Sequence, residues 1–180
     1  MQTGIVRRID ELGRIVIPKE IRKTLRLGVG DPLEITADDK CLIFKKYSPV
    51  ESYMTLAKDI ANGIKQSLES ECIITDTDKI IYSTSNKECE SEGFNLSDQL
   101  IKAIRTNENY ILDKNIGKHP LQVAEGQILE CDFQMIIPIT SLGDTFGSVI
   151  VYKNSGSPFN ESDMRLAKLG AMLLCTQFEV

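Results

Sequence analysis

The sequence predicts two domains of different class: a small all-β unit with one short helix over residues 1–50, dimeric by necessity of size, and an α+β unit over residues 51–180. Three observations lead there. Residues 1–50 alternate short apolar runs with turn residues. The remaining 130 residues mix strand-like runs with helical spacing of three and four. The charge also divides at that boundary. The 180-residue chain carries a formal net charge of −5, but residues 1–50 hold ten Lys/Arg against seven Asp/Glu, net +3, and the rest carry 11 against 19, net −8. A polyanion is attracted to the first unit and repelled by the second.

From Gly4, the residues Ile5, Val6 and Ile9 read as a strand, Glu11-Leu12-Gly13 as a turn, and Ile15-Val16-Ile17 as a second strand ended by Pro18. Pro18 presets a first helical position, and Ile21 and Leu25 give the next helix a narrow apolar stripe that runs out near Gly28. Lys19, Arg22, Lys23 and Arg26 occupy its other face. After Gly30-Asp31, the segments 33–36 and 41–47 form a second hairpin about Asp38-Asp39-Lys40. Two hairpins and one short helix bury too little surface to fold alone, and no disulfide or metal is at hand, so a second copy must cover their apolar faces.

Ser48-Pro49-Val50-Glu51 reads as a capping box with proline at the first helical position. Val50, Met54, Ala57, Ala61, Ile64 and Leu68 then mark an amphipathic helix of about 20 residues, broadened by Tyr53 and Leu56. Strands 72–75 and 80–83 are joined by Asp76-Thr77-Asp78-Lys79, and 85–93 is a polar, acidic loop. A helix over 97–105 and strands at 110–112, 131–140 and 145–152 follow, the last two joined by Ser141-Leu142-Gly143-Asp144. Asn160 caps a terminal helix with Asp163 at its third position, Phe159 staples against Met164, and Leu166, Leu169, Gly170, Leu173 and Leu174 carry its apolar face.

Five cysteines (Cys41, Cys72, Cys89, Cys131, Cys175) lie far apart without a CxxC pair, which speaks against a disulfide framework or zinc site and for a reducing cytoplasm. No segment has the apolar length of a signal peptide or membrane span. The single histidine, His119, lies in the loop Gly117-Lys118-His119-Pro120 with no nucleophile motif or second metal ligand beside it, and reads as a solvated side chain. Cys89 sits among Lys87, Glu88, Glu90 and Glu92, where carboxylates disfavour a thiolate. No catalytic residue, cofactor or metal site is expected.

Arginine offers DNA both charge and a planar fork that lysine lacks. Arg7 and Arg8 on the first strand, Arg14 after the turn, and Arg22 and Lys23 on the helix are therefore candidates, and a reversing chain can bring Arg8 near Arg14. Solvation of a small surface-rich domain explains the same residues as well. Thr3-Gly4-Ile5-Val6-Arg7-Arg8-Ile9-Asp10-Glu11-Leu12-Gly13-Arg14-Ile15-Val16-Ile17-Pro18-Lys19-Glu20-Ile21-Arg22, with Asp31-Pro32-Leu33-Glu34-Ile35 and Lys45-Lys46-Tyr47, resembles the N-terminal DNA-binding domain of the AbrB family of transition-state regulators over nearly all of residues 3–49.

That resemblance implies a swapped-hairpin β-barrel of two interleaved chains, with DNA contacts by Arg7, Arg8, Arg14, Arg22 and Lys23. Lys23 departs from the arginine often found there, so a bidentate contact at that position is not implied. It also implies A/T-rich double-stranded DNA read through shape more than base edges. Residues 51–180 resemble GAF domains in element order and terminal helix, and the whole chain is similar to regulators of sporulation genes that combine the two. GAF domains commonly bind a small molecule between sheet and helix and pair through terminal helices. Tyr82, Phe94 and Tyr110 are candidates to line such a pocket, although aromatic residues in these contexts are more often plain core. Two pairing surfaces on one chain imply a homotetramer. The alternatives are an antitoxin-like DNA-binding protein that also neutralises a partner, and a cysteine-dependent GAF reductase of oxidised methionine.

Overall fold

The computed structural model describes residues 4–86, 92–126 and 129–178. The chain divides into two compact units, Met1–Tyr47 and Ser48–Val180.

In the first unit residues 10–14 close a tight turn. The Gly13 N–H donates to the Asp10 carbonyl at 3.0 Å and the Asp10 N–H to the Arg14 carbonyl at 3.1 Å, with Gly13 at φ +76°, a conformation that suits glycine. The flanking arms, expected as strands, form no ladder among the described residues. Their side chains give the reason. Val6 is 86% exposed, and Ile9, Leu12 and Val16 also face water, so a single chain offers these arms nothing to pack against, and a lone hairpin is marginal in water.

Helix α1 (Lys19–Thr24) follows Pro18 and buries none of its residues. It ends where Arg26 turns left-handed at φ +52° and the Leu27 N–H reaches the Arg22 carbonyl at 2.8 Å. Asp31 Oδ2 then accepts the Gly28 N–H at 2.8 Å and faces Lys46 Nζ at 3.5 Å. This ties the turn after α1 to the end of an antiparallel hairpin, β1 (Leu33–Asp38) and β2 (Cys41–Lys46), with Leu33 opposite Lys46 and Asp38 opposite Cys41.

The second unit begins with α2 (Pro49–Ser52) and α3 (Met54–Leu68), where a single helix was expected. The break falls at Tyr53, whose φ −108° and ψ 37° leave the helical region. The capping box is half formed: Ser48 Oγ accepts the Glu51 N–H, but the Glu51 carboxylate turns instead to Lys79 Nζ at 3.1 Å. Ser48 Oγ also donates to Asp76 Oδ2 at 3.0 Å, while Asp76 Oδ1 accepts the N–H groups of Asp78 at 2.8 Å and Lys79 at 2.7 Å. Asp76 is 2% exposed. Burial pushes its carboxyl up to about 6, against the pull of the two N–H donors.

Five antiparallel strands form the central sheet in the order β4-β3-β7-β6-β5: β3 (Glu71–Thr75), β4 (Ile80–Ser83), β5 (Tyr110–Asp113), β6 (Phe133–Ser141) and β7 (Asp144–Lys153). Both faces are covered, which explains why β6 and β7 read as nearly continuous apolar runs. Alternation sorts them. Cys72, Ile74, Met135, Ile137, Val149 and Val151 join the core under α3 and α5 (Glu161–Cys175). Ile73, Ile136, Ile150 and Tyr152 face the opposite side, beneath α4 (Asp98–Arg105) and the segment holding Leu121, Val123 and Ala124.

Buried Gln134 fastens that segment: its Oε1 accepts the Leu121 N–H at 2.7 Å and its Nε2 donates to the Leu121 carbonyl at 3.0 Å. Ser97 caps α4, one residue before the helix begins, and Asn160 caps α5 in a complete capping box with Asp163, as expected. Phe159 is buried and Met164 packs against the same core. At Gly170 a Cβ would come within 2.8 Å of Ile60 Cγ2, so α3 and α5 approach closely there.

Candidate nucleic-acid interface

The five basic residues singled out from the sequence all belong to the first unit, and all are exposed. Arg7 and Arg8 lie on the first extended arm, where Arg7 Nη1 donates to the Val6 carbonyl at 3.2 Å. Arg22 and Lys23 are neighbours in the last turn of α1.

Arg14 is the most constrained of the five. Asp10 Oδ1 accepts the N–H groups of Leu12 at 3.0 Å and Arg14 at 2.8 Å, and its Oδ2 accepts Arg14 Nε at 2.8 Å. One carboxylate thereby shapes the turn and orients the guanidinium that follows it. The Arg14 N–H, then its side chain, hold the Asp10 carboxyl below its ordinary value of 3.8. The pair is fully open to solvent, so its effect is on orientation rather than on stability. Reversal of the chain does carry Arg8 and Arg14 to the two arms of one turn, but Arg14 engages Asp10 there. Sequence reasoning overlooked Asp10. The signal was present: an aspartate followed by glycine three residues later, at the head of a turn.

In the second unit the three aromatic candidates do not share a pocket. Tyr82 packs on the α3/α5 face, where Asn62 Nδ2 donates to its hydroxyl at 3.3 Å. Phe94 and Tyr110 pack on the α4 face, with the Tyr110 hydroxyl 2.8 Å from Thr106 Oγ1. A sheet lies between the two groups, so these side chains act as core and edge packing. Strand alternation, applied to Tyr82 and Tyr110, separates them only once the strand order is known.

His119 is exposed. Cys89 lies outside the described residues. Burial and the neighbouring Glu71 push the Cys72 thiol strongly up, and burial raises that of Cys175, the opposite of what a nucleophilic thiol needs. Among the described residues no three of His, Cys, Asp and Glu are grouped to hold a metal, and no helix is long and apolar enough to cross a membrane.

The family described as stage V sporulation protein T C-terminal, transcription factor, matches residues 53–179. The family described as antidote-toxin recognition MazE, bacterial antitoxin, matches residues 6–51. Stage V sporulation protein T of Bacillus subtilis (strain 168) is 34% identical over 178 residues, covering 98% of each chain. The transition state regulatory protein AbrB of the same organism is 60% identical over 47 residues, 26% of this chain and 49% of that one.

Solved structures with the same fold as the second unit include the GAF domain of an Acinetobacter phosphoenolpyruvate-protein phosphotransferase, with TM-score 0.56 and 11% identity over 71% of this chain and 87% of that one. The type II free methionine-R-sulfoxide reductase of Thermoplasma acidophilum gives TM-score 0.55 and 11% identity over 71% and 94%. Identities this low speak for a GAF-like fold and not for a shared activity.

Proposed function

Because the chain belongs to the stage V sporulation protein T family of transcription factors, and so is a sporulation transcription regulator, we propose that a dimer of its first unit grips A/T-rich double-stranded DNA through Arg7, Arg8, Arg14, Arg22 and Lys23. The observation that carries this reading is the Asp10–Arg14 arrangement: an exposed arginine held in one direction at the end of a turn, with two more arginines on the preceding arm. Each dimer presents every one of these groups twice.

The exposed apolar arms of the same unit support pairing with a second copy. On α5, Met172 at 64% exposure, with Leu169 and Leu173 beside it, supports a second pairing surface and hence a tetramer built from two dimers. The GAF-like unit is a receiver for a small-molecule effector in the cytoplasm, and it has no catalytic role. The antitoxin reading is disfavoured because residues 53–179 match a transcription-factor family over a folded domain.

Replacing Arg14 by alanine tests the interface. A dimer then loses two phosphate-scale contacts, so affinity falls and the log-log salt slope flattens by about 1.8. Arg14→Lys, which keeps charge but not the fork, should bind more weakly than wild type while retaining most of the slope. Wild-type affinity and salt dependence in a folded Arg14→Ala protein would refute the assignment.

A further inference from the structure

Where α3 ends and β3 begins, the chain bends sharply. Glu69 adopts a left-handed φ of +47° without being glycine, and Ser70 follows. Beside this bend, against the end of β7, lies a cleft of about 510 Å³ lined by Lys65, Glu69, Ser70, Glu71, Lys153 and Asn154 among others. A cleft of this size accommodates a small organic molecule.

Two facts distinguish it from an ordinary surface groove. Ser70 is only 7% exposed, yet its hydroxyl makes no hydrogen bond among the described residues. Buried hydroxyls in folded proteins are paired almost without exception, because an unpaired one has given up its bonds to water with nothing in return. The second fact is the charge arrangement. Lys65 Nζ and Glu71 satisfy each other at 3.0 Å, and Lys65 also donates to the Thr84 carbonyl. That leaves one cation and one anion on the lining without an ionic partner among the described residues: Lys153, whose Nζ lies 4.5 Å from the centre of the Phe159 ring, and the exposed carboxylate of Glu69.

A ligand of a single charge would satisfy one of these groups and oppose the other, whereas a molecule carrying both signs satisfies both. We propose that this cleft is a binding site for a small zwitterion, a free amino acid or a dipeptide, whose carboxylate meets Lys153 and Asn154, whose ammonium meets Glu69, and which gives the Ser70 hydroxyl its partner. The site lies at the α3–β3 bend, apart from the aromatic residues considered above. It rests on the effector reading of the second unit only for its regulatory meaning, not for its existence.

Titration calorimetry on the full chain tests the site with four probes: L-alanine, L-alanyl-L-alanine, and the dipeptide with either its amine acetylated or its carboxylate amidated. At least one of the two zwitterions should bind, and the free amino acid and the dipeptide compared directly give the length the cleft accepts. If it is the dipeptide, each blocked form should bind at least about tenfold more weakly, the scale of one lost charge-assisted hydrogen bond; if it is alanine, acetylalanine and alaninamide take their place.

Glu69→Gln, at an exposed position, and Lys153→Gln, at a half-buried one, should each weaken binding about tenfold while thermal melting stays within reach of wild type. Ser70→Ala should weaken it several-fold. Absence of binding by both zwitterions, or blocked forms that bind equally well, would overturn the proposal. DNA affinity measured with and without the bound zwitterion reports separately on the effector role: binding without any change in DNA affinity sustains the site and refutes that role.

Discussion

Replacement of Asp76 by asparagine should make the protein more stable at neutral pH and remove a pH dependence that the wild type shows. The Asp76 carboxyl titrates at about 6 in the folded chain because it is buried between the first turn of α2 and the β3–β4 turn, against an ordinary value of 3.8. A raised folded value means that the native state resists ionisation of the group. Its stability is therefore full below pH ~4, falls as pH rises through 6, and is lower by about 3 kcal/mol above that. Asparagine is isosteric. Its Oδ1 keeps both N–H donors of Asp78 and Lys79, and its amide faces Ser48 Oγ, which can accept. Urea unfolding at fixed protein concentration, followed by circular dichroism at pH 4.5 and 7.5, measures the difference. Asp76→Asn should gain about 2 kcal/mol on the wild type between those two pH values, the part of the total that falls in this window. A gap that stays constant within about 0.5 kcal/mol, or a variant less stable than wild type at pH 7.5, would refute the reasoning.

Three further outcomes follow from the geometry. Asp10→Ala removes two negative charges per dimer, which by charge alone would tighten DNA binding. Loss of the Arg14 orientation should instead weaken it about fivefold, the equivalent of one hydrogen bond, and tighter binding in a mobility-shift titration would count against an oriented Arg14. Leu169→Glu combined with Leu173→Glu places charge on the exposed stripe of α5 and should halve the mass seen by light scattering, with dimers replacing tetramers; an unchanged mass in a folded variant would exclude that surface. Gln134→Leu leaves the Leu121 N–H and carbonyl without their partner and should cost about 2–4 kcal/mol in urea unfolding, whereas an unaffected midpoint would show that water replaces the side chain freely.

Signals confined to a few neighbouring residues were legible in the sequence. Asn160 is the cap that its side chain and position predict, and the strands pair about the turns at Asp38–Lys40, Asp76–Lys79 and Ser141–Asp144. What depends on residues far apart in the chain was not. Glu51 completes a capping box by every local rule, yet Lys79, 28 residues away, takes its carboxylate, and nothing in Ser48-Pro49-Val50-Glu51 announces that competition.

Nor does the spacing of Val50, Met54 and Ala57 announce the break at Tyr53, whose ring in the folded chain sits 6.3 Å from that of Phe178, 125 residues on. The sequence predicts the first hairpin as a reversal about Glu11–Gly13 between strands that need a second copy for cover; the turn forms, and the arms make no ladder among the described residues of one chain. Periodicity reports that Val6 and Val16 want cover, not which molecule supplies it. The basic candidates were legible as residue types, while Asp10, which directs one of them, was passed over as an ordinary turn acid.

The bare arms around Asp10–Arg14 also bear on how long two subunits stay together. In the proposed dimer, chains that cover one another's Val6, Ile9 and Val16, exposed in the single chain, part only by returning those side chains to water, so exchange of partners should be as slow as unfolding of the unit itself. Partner choice is then made once, when the chains are synthesised. A cell that also holds a relative with a closely similar first fifty residues would record in its mixed and matched pairs which two proteins were being made at the same moment, and that record would persist after synthesis of either had stopped.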